Sequence, residues 1–339
     1  RCQRQISPAA ASPTSKATSF LTARSPTPSS PLPAPPVASA LSPRRPLSSS
    51  PLPLSPLCQL PAGSTARVFQ LTGDATVGGS QRVDLVRGTG ATLNLNGYTL
   101  TKVGNNYSAI VSAAVSEGAI VVNGGLLMLE SAGALTGAAS LTVNKGGAFL
   151  ISNNSTTRSG TRLPDAMPIT LNSADGSWNS ETSPKGLTIR TDQNANTSET
   201  VGALNFASGS SYLFGTASGG TSAVAGITAS DFVRTQGATV SVRGRALNAT
   251  SNAAGRNFFR IVSASAQETA FIATLVGGAG AVGTKTISIL PWAIGETTDA
   301  ANPGDANMGN SLVTYSSAIS GLRPLSLTTE YNTFATRAG

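Results

Sequence analysis

The stretch from Ala119 to Ile151 reads AIVVNGGLLMLESAGALTGAASLTVNKGGAFLI, and it says one phrase twice. Ile120-Val121-Val122-Asn123 runs into glycines and then apolar residues, and Leu141-Thr142-Val143-Asn144 does the same 21 residues later. The first and third positions of each phrase are apolar, which is the period of a strand. The Asn-Gly punctuation that follows is where a chain takes positive φ at little cost. A strand this short cannot bury its own face, so it needs a copy of itself stacked above and below.

The same apolar-x-apolar-Asn pattern occurs at Leu93–Asn96 and Ile169–Asn172, giving successive Asn spacings of 27, 21 and 28 residues. A loose period with short strands and Gly, Asn and Ser corners predicts an all-β fold, a β-solenoid whose loops differ from coil to coil. At about 20–25 residues per coil, roughly 11–13 coils are expected. Each asparagine has two structural readings: it tolerates a turn conformation, or its amide joins a ladder with the asparagine one coil away. Val68–Thr72 begins the β-rich text, and Val201–Gly209, Ser211–Phe214, Ala238–Gly244 and Thr286–Leu290 carry it onward. Asn153–Arg162 and Asp192–Glu199 look like excursions between coils, and no sustained helical period appears after Ala66.

The text before Ala66 is different. Residues 1–62 hold 14 of the 20 prolines, spaced by serine and alanine. Proline removes backbone donors and pushes its neighbours toward extended states, so residues 1–65 are expected to be a disordered or polyproline-like tail. A Pro-rich ligand for small recognition domains, and text that is not native coding sequence, are the other readings of it. Residues 1–73 carry seven bases and no acid, so most of the formal net charge of +8 belongs to that N-terminal text while the body, residues 66–339, is close to neutral. Those bases are scattered among prolines with only Phe20 to stack on a base, and no nucleic-acid partner is expected.

Chemistry is scarce. There is no histidine, which removes His-based triads, His-metal sites and the commonest general base. Cys2 and Cys58 both precede the body and form no metal motif. The longest apolar run, Ala270–Gly283, is 14 residues with four glycines, too short and broken to span a membrane as a helix. Gly278-Ala-Gly280-Ala-Val-Gly283 matches GxGxxG, but a strand-like Thr-Lys-Thr-Ile-Ser-Ile-Leu follows where a nucleotide fold needs a helix, and Lys285 falls one position late for a P-loop. Glu296, Asp299 and Asp305 form the best local acid group, in text rich in turn formers. It reads as a solvated turn or a weak calcium loop, without the ligand spacing of a helix-loop-helix site. Lys102, Lys145 and Lys185 lie beside turn residues and offer no activated nucleophile. Trp178 and Trp292 with Tyr98, Tyr107 and Tyr212 make either a sugar-stacking strip or single aromatics of a β core. No catalytic, cofactor or metal residue is assigned.

Gly118–Gly137 with its continuation to Gly147, Glu199–Gly209, Ile287–Gly295, Ser311–Tyr315, Gly321–Ser326 and Glu330-Tyr331 together resemble the autotransporter-associated β-strand repeat proteins of bacterial surfaces. The resemblance covers residues 66–339 and implies a right-handed parallel β-helix, extracellular or on the cell surface, commonly without enzymatic activity. It brings no catalytic motif. A structural or adhesive role is expected, with an unknown surface protein or carbohydrate as partner. The outer membrane would be reached only through a β-barrel that this chain does not include, so the chain is expected to be a fragment. The alternative is a carbohydrate-active β-helix enzyme, a polysaccharide lyase or glycoside hydrolase, which would bring two acids together in a groove.

Overall fold

The computed structural model describes residues 67–153, 161–176, 185–192, 196–218, 224–235, 237–247, 256–298, 311–317 and 321–332. The expected tail lies outside the described residues, as do Trp178, Asp299 and Asp305. The described chain is all-β apart from one short helix.

Its strands recur in a fixed order and pair in parallel with their counterparts in three columns. The first column holds β1 (Val68–Gln70), β4 (Thr92–Asn94), β7 (Ala114–Ser116) and β10 (Ala134–Gly137). The second runs β2 (Ala75–Val77), β5 (Thr99–Lys102), β8 (Ala119–Val122), β11 (Ser140–Asn144), β13 (Ile169–Asn172), then the later parts of β15 (Thr197–Ser208) and β17 (Ala225–Arg234). The third holds β3 (Val83–Arg87), β6 (Tyr107–Val111), β9 (Gly125–Glu130), β12 (Gly147–Asn153), β14 (Leu187–Asp192), β16 (Ser210–Ser218), β18 (Thr239–Arg245) and β20 (Leu290–Thr298). The early parts of β15 and β17 pair with each other, and that of β17 pairs on with β19 (Asn257–Ile261). Among the described residues the step between paired positions lengthens along the chain: Leu129 and Ile151 are paired across 22 residues, Ile151 and Ile189 across 38.

Register explains the core. Leu100, Ile120, Leu141, Ile169, Leu204 and Phe232 lie opposite one another in turn, and all are buried. In the third column Ile110, Leu129, Ile151 and Ile189 do the same, and then the row reaches Gly215. A Cβ on Gly215 would lie 2.5 Å from the Asn257 side chain, which fills that space. Asn257 is fully buried there, donating to Ala225 O at 3.2 Å and accepting from Arg245 N at 2.7 Å.

The asparagines divide between the two roles. Asn96 takes a left-handed turn, φ 53°, and its N–H donates to Asn94 Oδ1 at 2.6 Å. Asn144 Nδ2 donates to Asn123 Oδ1 at 2.7 Å, Asn172 Nδ2 donates to Asn144 Oδ1 at 3.0 Å, and the Ser208 hydroxyl donates to Asn172 Oδ1. Those three asparagines are the ladder.

The far end of the stack departs from the parallel pattern. After β19 the chain forms α1 (Ala266–Ile272), which no helical period announces because it is only seven residues long. Its start is a capping arrangement: Ser265 Oγ accepts from Glu268 N at 3.0 Å, and Glu268 Oε2 accepts from Ala264 N at 2.7 Å. Thr286–Leu290, expected as a strand, is a strand only from Leu290; Gly280 N donates to Thr286 O at 2.9 Å and folds the segment into a loop, leaving a single antiparallel bridge from Val276 to Ile289. Thr197–Glu199 belongs to β15 rather than to an excursion. Two antiparallel strands, β21 (Ser311–Ser316) and β22 (Gly321–Pro324), close the third column against β20.

The two asparagine roles predict different responses to the same substitution. Asn144→Gly removes two amide bonds and should lower stability by about 1–2 kcal/mol. Asn96→Gly keeps the positive φ and should cost no more than a few tenths of a kcal/mol. Urea midpoints of the full chain measure both, and equal losses would contradict the ladder.

Candidate functional site

Among the described residues, those singled out in the sequence do not converge. Gly278–Gly283 lies in the loop after α1, so a helix precedes the glycines instead of following them. Lys285 sits in that loop too. Glu296 is buried in β20, with Arg243 Nε 3.2 Å from its carboxylate, and burial raises its pKa against the pull of that guanidinium. Arg243 in turn lies over the Phe214 ring at 5.7 Å. Phe214, Arg243 and Glu296 are opposite one another in β16, β18 and β20 and form one buried row. Trp292 packs on Phe206 and Phe271, with ring centroids 5.7 and 6.3 Å away, while Tyr212 meets Lys185 and Tyr98 packs on the core. They form no strip.

Lys102 is buried. It is 1% exposed, and its ammonium donates to the carbonyls of Val103, Gly104 and Gly124 at 2.9–3.0 Å. Burial lowers its pKa to about 8. All three of its donors are used, so the group is a structural plug in the row that runs from Val77 through Lys102 to Val122, Val143, Leu171 and Phe206.

Two acids do come together on the outward face of β3, β6 and β9. Asp84 Oδ1 and Glu130 Oε2 both lie 2.7 Å from the Arg82 guanidinium, and Arg87 reaches Asp84 at 3.0 Å. The Tyr107 hydroxyl donates to Glu130 at 2.6 Å and its ring lies 4.7 Å beneath Arg82; burial and that bond to Glu130 raise its pKa. Sequence reasoning dispersed these acids because they are 46 residues apart, and only the column register unites them.

The buried charges were also invisible in sequence. Arg162 spends its guanidinium on Leu129 O at 3.0 Å, Asn153 Oδ1 at 3.0 Å and Ser152 O. Its N–H and that of Leu163 donate to Glu199 Oε2 at 2.9 and 3.1 Å. Burial pushes Glu199 up to about 7, against those bonds and the Arg162 charge. Arg323 grips Glu330 at 2.7 and 2.9 Å, and Glu330 also accepts from Gly283 N and Ser326 N at 2.7 Å. Burial raises Glu330, but these bonds outweigh it and bring its pKa down to about 2. The quoted segment Gly321–Ser326 with Glu330-Tyr331 is thus a clasp: the Tyr331 hydroxyl accepts from Leu312 N at 2.7 Å.

Among the described residues no three His, Cys, Asp or Glu side chains gather as a metal ion would need. No helix among them is long and apolar enough to cross a membrane. Comparison of the chain with protein-family models, curated proteins and solved structures finds no match.

Glu199 and Glu330 give opposite pH limbs. Folded Glu199 holds its proton to about 7 while its ordinary value is 4.5, so its contribution is full below 4.5 and is lost as pH rises to 7. Folded Glu330 ionises near 2, so its contribution is present above 4.5 and is lost as pH falls toward 2. Thermal midpoints from pH 2 to 8 should show Glu199→Gln flattening the upper limb and Glu330→Gln destabilising least at the acid end. An unchanged upper limb in Glu199→Gln would refute that assignment.

Proposed function

We propose that the strands wind as a right-handed parallel β-helix, and that the chain is a segment of an extracellular or cell-surface protein of the autotransporter-associated strand-repeat kind. It works as a stiff spacer and a contact surface, and not as an enzyme. The observation that carries this reading is the row-by-row register of apolar side chains through the second and third columns. Connections between parallel strands of one sheet are right-handed in about 98% of cases, which supports the hand. The residues that sequence and structure bring forward plug, clasp or pack, which supports a scaffold. Repetition supplies avidity to weak contacts with a surface protein or a carbohydrate.

The second reading, a carbohydrate-active enzyme, rests on Asp84 and Glu130 meeting at Arg82. Both carboxylates are neutralised there by arginine, which leaves neither free as a base or nucleophile.

Full-length chain displayed on beads at graded density separates the two. Retention on a panel of matrix proteins and glycans under flow should rise much more steeply than density, and the same panel should yield no new reducing ends or unsaturated uronides. Cleavage that Glu130→Gln abolishes would replace the scaffold reading with the enzyme. A density map with left-handed turns would remove the proposed hand.

A further inference from the structure

β17 is paired unequally. Along Thr197–Phe206 of β15 it has a partner on one side for its whole length, but on the other side β19 covers only Ala225–Ala229. Asp231–Arg234 therefore has a strand on one edge and, among the described residues, none on the other. In the turns before it the second column receives a new strand at this place; here the chain supplies α1 instead. The helix points Phe271 into the end of the core, against Phe232 at 5.5 Å and Tyr315 at 5.3 Å. Beside the strand edge it leaves a groove of about 510 Å³, walled by Asp231–Arg234 on one side and by Gln267, Ala270 and Thr274 on the other.

The groove has a chemical signature. Val233 is 43% exposed. Arg234 is spent, with Nε on Ala238 O at 2.7 Å and its guanidinium 5.3 Å over the Trp292 ring. The Asp231 carboxylate has no hydrogen bond or ion pair among the described residues, so the unmatched charge is negative. An open strand edge is a template for another strand, bound by its main chain and selected by alternate side chains.

We propose that this edge accepts an extended peptide as an added parallel strand, with a lysine or arginine facing Asp231 and an aliphatic residue two positions later facing Val233. Parallel addition continues the sense of every pairing in the column, as Leu204 with Phe232 and Asn205 with Val233 already show. Side chains directly opposite in such a pair lie about 5 Å apart, close enough for the charge pair to select the register. The inference goes beyond the scaffold reading and does not depend on where the protein is displayed.

The test is fluorescence polarisation of a labelled peptide, Thr-Val-Thr-Lys-Thr-Val-Thr-Ser, titrated with the full chain. Saturable binding is expected, weakened about three- to tenfold by Asp231→Lys and restored when the peptide lysine becomes glutamate. Methylation of the amide nitrogen of the threonine after the lysine, or of the valine that follows it, should weaken binding about tenfold in one of the two cases, because alternate amides face the strand edge. Absence of saturable binding, or binding indifferent to Asp231→Lys with both peptides, would overturn the proposal. Self-association of the chain that Asp231→Lys abolishes would also overturn it, by giving the edge to a second copy.

Discussion

Parallel pairing in register is the constraint on which everything else here depends. It sets each side chain directly above its counterpart one turn away, on the same side of the wall. A residue is therefore judged by its fit to two near-copies of its own surroundings. Apolar rows such as Leu100, Ile120, Leu141 and Ile169 satisfy that test repeatedly, and each buried member contributes the roughly 1.5–3 kcal/mol of a removed aliphatic side chain. The rule also makes faults local. Where Asn257 intrudes, the response is confined to the glycines it touches, Gly215 and Gly244.

The same constraint sorts the polar residues. Amides tolerate being stacked on their own kind, so asparagines form a row, whereas stacked like charges repel. The buried ions accordingly draw on different partners. Lys102 uses carbonyls, Arg162 uses carbonyls and an amide, and only Arg323 and Glu330 form a bidentate pair. The last of these sits where the parallel pattern gives way to the antiparallel β21 and β22. A clasp there holds the loop through Gly283 as well, so one carboxylate ties together segments that no strand pairing joins.

Much of this was legible in the residues. The repeated phrase around Asn123 and Asn144 gave strand type, turn chemistry and the 21-residue step, because period and punctuation are local signals. The all-β class followed from it. Less local features were not legible. Lys102 was read only as a lysine beside turn residues, and it is the carbonyl of Gly124, 22 residues on, that helps to enclose it. Arg82, Asp84 and Glu130 meet through register alone. The helix at Ala266–Ile272 is too short for a period, though Ser265 followed by Glu268 was a capping signal in plain view. Thr286–Leu290 misled because alternation describes what a segment is able to do, and the glycine loop ahead of it decides otherwise.

The row Asn123, Asn144, Asn172 and Ser208 has one more consequence. Every donor in it sits on the later residue and every acceptor on the earlier one. The side-chain dipoles therefore add head to tail instead of cancelling, each polarising the next. Strands lie across the stack and contribute little along it, so this row gives the molecule an electrical direction perpendicular to its own backbone. The two directions along the row thereby differ in kind.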